Sequence, residues 1–431
     1  MQIHGHEVKW YEVPNKAVGY TYRRICEKVK ERSAEIYLKQ LQEHPHHHAG
    51  PIKVGFIVQM PEVWDKEKPV FNLMLEDEHF DPTLIIVPAY DFARSILGNY
   101  GREKQFFIDE SKNNYILAKK EDGSWTDIRP GEFDYIFYQR PYNQLLPEHL
   151  RSFVLVKKTK LCYIPYATTE KKEDDFVTRP KDFFQDLTIF FAENKETVDT
   201  LNHIYHITAK IKNLQHFTFE GYPAFENALK DSGECNYYKV LWTPRWTYDS
   251  NIGGSHFFEY LSGFEKLQSE EGGVAIRPHP LMWENFIKTG RCSGEEINEI
   301  KKRWKKIGIV EDANEKIEDT FSTTDILVSD LSSVIAIFFL SSKPVILCPM
   351  DDFTSEAYST LLTSILPGLY IAHTWKELEY YLHMLKDKKE DPLLEIRKKI
   401  IQDCFATNRN ATNNIIEYIL DNYKSNDTST I

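Results

Sequence analysis

The sequence predicts an α/β protein built from two doubly wound parallel-sheet units, each Rossmann-like, facing each other across a cleft. Three observations carry the prediction. From Pro51 onward, short continuous apolar runs recur, of the kind that forms strands buried on both faces. Helical patterns lie between several of these runs or just after them. The same rhythm then starts again in the second half of the chain. At 431 residues, the length suits two or three domains with sizeable cores.

The first 50 residues stand apart as a helical extension and linker. Lys16 to Gln42 reads as a charged helix with Val18, Tyr22, Ile25, Cys26, Val29, Ile36, Tyr37 and Leu41 roughly on one stripe, stopped at His44-Pro45. Lys16, Arg23, Arg24, Lys28, Lys30 and Arg32 make its first half basic. That leaves two readings open, a solvated face of a docked helix or a face drawn to an anionic membrane surface. His46, His47 and His48 follow. Adjacent histidines point in different directions and no cysteine or well-spaced acid is near, so a linker fits better than a metal site.

The first α/β unit is expected over residues 51–212. Its strand candidates are Lys53–Val58, Leu84–Val87, Tyr135–Tyr138, Leu161–Ile164 and Thr188–Phe191, with helical patterns at Asp91–Asn99 and Glu193–His206. The charged run Glu170 to Asp175 reads as a solvated loop. The second unit is expected over 213–390, with the junction near Asn213 to Glu226. Its strand candidates are Tyr238–Trp242, Gly273–Ile276, Ile307–Val310, Ile326–Val328 and Val345–Leu347. Helical patterns separate them at His256–Gln268, Gly294–Lys305, Glu315–Ser322 and Ser332–Leu340. Residues 391–431 read as two more helices with a frayed polar end.

Composition excludes several classes. The net charge of −12 argues against a nucleic-acid partner. Six dispersed cysteines with no CxxC pair make a disulfide framework or zinc site unexpected and fit a reducing cytosol. The start lacks an apolar signal-peptide core, and no run of about 18 apolar residues appears to cross a membrane. GxGxxG, GxxxxGK[ST] and GxSxG are all missing, so dinucleotide, P-loop and nucleophile-elbow chemistry are unsupported.

Ligands of doubly wound sheets bind beyond the carboxyl ends of strands, which singles out three stretches. In Ile326-Leu-Val-Ser329-Asp330-Leu-Ser332-Ser333 a strand turns into a helix. The helix start offers free N–H groups and partial positive charge to an anion, and two hydroxyls add donors. Plain N-capping by Asp330 or Ser332 explains the same residues. In Ile276-Arg277-Pro278-His279-Pro280, two prolines fix a histidine able to donate to phosphate or move a proton, beside a permanent cation. In Thr243-Pro244-Arg245-Trp246-Thr247 a third strand ends in a cation and an aromatic, which an aromatic patch at the domain rim also explains. Gly221-Tyr222-Pro223 reads as a tight turn where the second unit begins.

The order of these motifs, GYP, then PxW, then HP, then SDLSS and KP, resembles the CDP-glycerol glycerophosphotransferase family, over about Asn213 to Ile371. The resemblance implies the GT-B architecture, with the tail helices bracing the first domain. It matches Gly221, Tyr222 and Pro223 to the family's turn, which would place them at the nucleotide cleft with Thr243, Pro244 and Trp246. His279 and Pro280 match its His-Pro, Asp330, Ser332 and Ser333 its Asp-Tyr-Ser-Ser, and Lys343-Pro344 its Lys-Pro. Arg245 stands where the family has Thr, Thr247 where it has Arg, and Leu331 where it has Tyr.

The implied activity is transfer of an alditol phosphate from a CDP-activated donor to a polymer or lipid-linked acceptor, on the cytosolic side with a possible peripheral contact to the membrane's inner face. His279 and Asp330 would then be catalytic, and Ser332, Ser333, Arg277 and Arg245 would bind donor phosphate, with Asp330 orienting His279 or a donor hydroxyl. No metal ligand set is visible, so the reading requires neither metal nor cofactor. Two family features are missing. Cys162-Tyr-Ile-Pro-Tyr-Ala167 stands where the family has a His-Gly pair, and Pro367-Gly368-Leu369-Tyr370 lacks the family's Arg. These departures keep two alternatives open, a nucleotide-sugar glycosyltransferase or epimerase on the same architecture, and a weakened relative acting as an assembly partner.

Overall fold

The apolar runs fold into two parallel sheets of identical winding, seen here in a computed structural model. It describes all residues except 1, 4–5, 8–12, 45–47, 92–93, 169–180, 205–213, 231–234, 251–253, 315–316, 351–357 and 426–431. His46, His47, the run 170–175, Asn213 and the side chains of the helix stripe through Cys26 lie outside the described residues.

The first sheet contains β1 (Ile52–Val58), β2 (Phe80–Ile86), β3 (Tyr115–Leu117), β4 (Tyr135–Tyr138), β5 (Lys160–Tyr163), β6 (Ile189–Phe191) and β7 (His216–Thr218). Its order is β7-β6-β5-β4-β1-β2-β3, parallel throughout. The second contains β8 (Val240–Thr243), β9 (Val274–Ile276), β10 (Val310–Glu311), β11 (Ile326–Ser329), β12 (Val345–Leu347) and β13 (Tyr370–Ile371). Its order is β10-β9-β8-β11-β12-β13, again parallel. Each sheet reverses direction of growth once, between β1 and β4 and between β8 and β11, and a crevice opens at such switch points.

Burial on both faces explains the unbroken apolar runs. Along β1, Val54, Phe56 and Val58 enter one core cluster while Ile57 enters another. Phe56 stacks on Phe137 of β4 at 4.8 Å, and each such ring gains about 1.5–3 kcal/mol from burial. In the second sheet Val240 and Trp242 face one cluster and Leu241 the other. The cluster containing Phe56 also holds Leu241 and Leu331, so one core runs through both units.

The connection between the units is a clasp. Helix α1 (Val13–Glu43) precedes the first sheet, and α2 (Lys68–Glu76) covers part of it. Gly221-Tyr222 leads into α3 (Pro223–Lys230). In the second unit, α4 (Phe257–Glu270), α5 (Gly294–Ile307) and α6 (Val334–Phe339) lie between strands. The tail helices α7 (Leu394–Cys404) and α8 (Ala411–Ser425) then return, and α8 packs on α2 and α3. Asn408 Oδ1 accepts the Tyr222 N–H at 2.7 Å, Glu226 accepts the Thr412 N–H at 2.7 Å, and Asn422 accepts the Tyr135 hydroxyl at 2.8 Å.

Four expectations need correction. Asp91–Asn99 is not a helix: Tyr90–Asp91 pairs antiparallel with Ile96–Leu97. Asp91 accepts the Arg94 N–H at 3.0 Å and Ser95 takes a φ of 55°, a local turn that competes with helix formation. The first sheet runs on to Thr218 through β7, past residue 212. The strand expected at Ile307–Val310 begins only at Val310, because α5 runs on to Ile307 and Gly308 ends it at a φ of 84°. The buried stripe of α1 is Ala34, Leu38 and Leu41, while Val29 and Ile36 are 60% and 49% exposed, since the helix meets the sheet through an i, i+4, i+7 row.

The clasp predicts a sensitive position. Gly221 has a φ of +94°, and a Cβ there would meet the Ala411 Cβ at 2.8 Å and the Thr407 carbonyl at 2.9 Å. Gly221→Ala should lower stability by about 2 kcal/mol or more, from backbone strain plus the clash, read as a drop in Tm. An unchanged Tm would show that the tail does not need this close approach.

Candidate active site

Three of the stretches read from the sequence meet at the switch point of the second sheet. Thr243 and Ser329 are register partners at the ends of β8 and β11, and the Thr243 hydroxyl donates to Ser329 Oγ at 2.7 Å. Beyond them sits Asp330, 1% exposed. Its carboxylate accepts the Arg245 N–H at 2.8 Å, the Ser255 hydroxyl at 2.8 Å and the His256 N–H at 3.3 Å, with His256 Nδ1 at 3.4 Å. Asp330 therefore neither caps α6 nor is directed at His279. It ties the turn after β8 and the start of α4 to the end of β11.

Ser332 and Ser333 stand half-buried at the start of α6. Ser333 occupies the N-cap position without a side-chain capping bond. Arg245 lies against this turn, its Nη1 donating to the Leu331 carbonyl, and its Nε is enclosed without a hydrogen-bond partner.

His279 joins the group from the β9 side. Its N–H donates to the Pro244 carbonyl at 3.4 Å, and its Nδ1 accepts the Leu281 N–H at 3.1 Å. With Nδ1 an acceptor, the neutral ring carries its proton on Nε2. His279 is exposed to solvent. The protein crowded around it, and then the Arg245 charge, push its pKa down to about 4. At neutral pH His279 is thus an uncharged hydrogen-bond donor.

Two groups of expected residues are placed otherwise. Arg277, read as a phosphate-binding cation, is paired with Asp312 and also donates to the Asn314 carbonyl at 2.9 Å, which locks the end of β9 to the segment after β10. Gly221, Tyr222 and Pro223, read as cleft residues, are buried. The Tyr222 hydroxyl donates to the Pro165 carbonyl at 2.8 Å, so the turn braces the cleft from beneath and offers no surface to a nucleotide. Thr243 and Pro244 are buried as well, and Trp246 is half-exposed near His279, ring centroids 6.4 Å apart. Lys343 is buried, donating to the Thr324 carbonyl at 2.8 Å.

Ser255 and His256 were not picked out from the sequence. The only signal is Gly254-Ser255-His256 opening a helix, which resembles many ordinary helix starts. Among the described residues, no cluster of histidine, cysteine and carboxylate side chains has the form of a metal site.

Two facing doubly wound units with a polar cluster at the second switch point define a protein of GT-B fold. Solved structures of that architecture match along nearly the whole chain. The wall teichoic acid polymerase TagF aligns with a TM-score of 0.53 at 13% identity, covering 97% of this chain and 99% of that one. A UDP-N-acetylglucosamine 2-epimerase aligns at 0.54 and 14% identity, covering 88% and 97%. The UDP-GlcNAc 2-epimerase from Neisseria meningitidis aligns at 0.51 and 11% identity, covering 86% and 100%. No curated protein matches the sequence.

The sequence of the second unit is more specific than its fold. Residues 230–421 match the model of the CDP-Glycerol:Poly(glycerophosphate) glycerophosphotransferase family, so the resemblance read from the motifs holds there. That match lies in the second unit and the tail helices; the first unit shares only its fold with the solved structures.

The Asp330 geometry yields a stability prediction. Asp330→Ala leaves three donors from two segments unsatisfied, at about 1–3 kcal/mol for each that stays buried. Denaturant titration should show a loss of about 3 kcal/mol or more, with Asp330→Asn losing less. Equal stability of Asp330→Ala and the unaltered protein would remove Asp330 as the organiser of the site.

Proposed function

We propose that the protein moves a glycerol phosphate, or a related alditol phosphate, from a CDP-activated donor to a hydroxyl of a surface glycopolymer or its lipid-linked precursor. The observation that carries this is the convergence of Arg245, His279, Ser332 and Ser333 at the switch point, inside the stretch that matches the glycerophosphotransferase model. In this reading the acceptor oxygen attacks the β-phosphorus and forms the new P–O bond. The bond from that phosphorus to the bridging oxygen breaks, CMP leaves with that oxygen, and the acceptor hydroxyl's proton passes to water.

Such a transfer needs positioning and charge stabilisation more than covalent chemistry. The Ser332 and Ser333 hydroxyls donate to the diphosphate, and the Arg245 charge opposes the negative charge gathering on the leaving group. His279 contributes its Nε2–H to a phosphate oxygen. Asp330 acts through others, holding Arg245 and the α4 start in place. The basic first half of α1 is the segment suited to a peripheral contact with an anionic membrane face. Among the described residues no helix is long and apolar enough to cross a membrane.

The equal fold likeness to UDP-N-acetylglucosamine 2-epimerases supports a second reading, a UDP-sugar enzyme. Calorimetric titration separates the two: CDP should bind and UDP and GDP should not, while preference for UDP would overturn the proposal. Ser332→Ala combined with Ser333→Ala should weaken CDP binding by roughly tenfold or more, the value of one or two lost phosphate hydrogen bonds. Unchanged affinity would take the serines out of the donor site.

His279→Ala should abolish transfer with the fold intact by circular dichroism. Because partial desolvation by the surrounding protein and the Arg245 charge hold the His279 pKa at about 4, the rate should show no His279 inflection near 6.5 and should change only as pH falls towards 4. Near-normal turnover of His279→Ala would sink its role.

A further inference from the structure

Two Pro-Tyr turns end adjacent strands of the first sheet. Gln139-Arg140-Pro141-Tyr142 follows β4, and Ile164-Pro165-Tyr166 follows β5, in the place where the resembled family has its His-Gly pair. The Tyr142 and Tyr166 hydroxyls lie 3.1 Å apart.

The Arg140 guanidinium sits among Tyr166, Tyr142 and Tyr163, and among the described residues no carboxylate acts on it. Its Nη2 donates to the neutral Gln59 amide at 2.8 Å, and its Nε is enclosed without a partner. Burial pushes its pKa down to about 10, which leaves it charged at neutral pH. A cation taken out of water without a counter-charge costs several kcal/mol. Rigid scaffolding holds this one in place. Gln139 Oε1 accepts the N–H groups of Gln59 and Met60 at 2.8 and 2.7 Å, and Gln59 Nε2 donates to the carbonyls of Pro88 and Leu145 at 3.0 Å each.

The position matters as much as the charge. Arg140 follows β4 at the point where the first sheet reverses, which is where a doubly wound sheet receives a ligand. The Pro165 carbonyl beside Tyr166 is bonded to Tyr222, and α3, which Tyr222 introduces, packs on α6 of the donor-side turn. One element thus braces both strand-end sites.

We propose that Arg140, with the Tyr142 and Tyr166 hydroxyls, forms an anion subsite in the first unit that takes a phosphate group of the acceptor. The subsite deepens the transferase reading and rests on it for the word acceptor. A phosphate there would give Arg140 a counter-charge and accept from two phenolic hydroxyls.

Calorimetry of the full chain with glycerol 3-phosphate, in the presence of saturating CDP, tests this. The unaltered protein should bind glycerol 3-phosphate and not glycerol, and Arg140→Gln should weaken that binding at least tenfold while CDP affinity stays the same. Retained glycerol 3-phosphate affinity in Arg140→Gln overturns the proposal. If that variant fails to fold, Tyr142→Phe and Arg140→Lys decide: several-fold weaker binding in both supports the subsite, and unaltered binding in both overturns it. Failure of CDP to bind the unaltered protein would sink the donor reading alone. The Ser332→Ala, Ser333→Ala double variant, titrated with glycerol 3-phosphate and no CDP, would still read Arg140 separately from the serines.

Discussion

A buried carboxylate is stable only where donors replace the water it has lost. Asp330 meets that demand with three donors drawn from two other segments, the turn after β8 and the start of α4. The demand works in both directions. The carboxylate needs those donors, so the segments that carry them are held in one arrangement around the end of β11. Arg245 is fixed through its own backbone, which leaves its guanidinium free to lie on the Leu331 carbonyl beside His279. The chemistry of the second switch point therefore depends on a residue that is itself shut away from solvent.

The two units share this economy at a larger scale. Tyr222 reaches under the first unit to Pro165, Asn408 and Glu226 tie the turn and α3 to the tail, and a single apolar cluster continues from Phe56 to Leu331. The two switch points are thereby coupled through packed side chains. Each offers a cation enclosed at one nitrogen, Arg245 on one side and Arg140 on the other.

Much of this was legible in the sequence because it depends on local pattern. Continuous apolar runs marked most of the long strands, and the strand-end position of His279, Asp330, Ser332 and Ser333 followed from them. The short edge strands β3, β7, β10 and β13 were missed or displaced, since two or three residues at a sheet margin carry little apolar signal. Side-chain allegiance was also hidden. Whether Arg277 faces a ligand or Asp312 depends on a residue 35 positions away, and no local pattern reports it. The GYP turn was recognised but misplaced, because a motif says what backbone is required and not which surface buries it. Arg140 was overlooked because a single arginine after a strand looks like any other. Its distinction is that, among the described residues, it has tyrosines and an amide around it and no carboxylate, which only the fold reveals.

The returning tail has a consequence for how the chain is made. Helix α8, which covers α2 and hydrogen-bonds to β4 through Asn422, is the final described element. Domains tend to fold as they leave the ribosome, amino-terminal unit first. Here the first unit keeps an apolar face bare until a helix beyond the whole second unit has been made. Premature termination anywhere in the second unit would release a first unit with that face uncovered, so truncated products are marked for aggregation or removal for want of the helix that covers it.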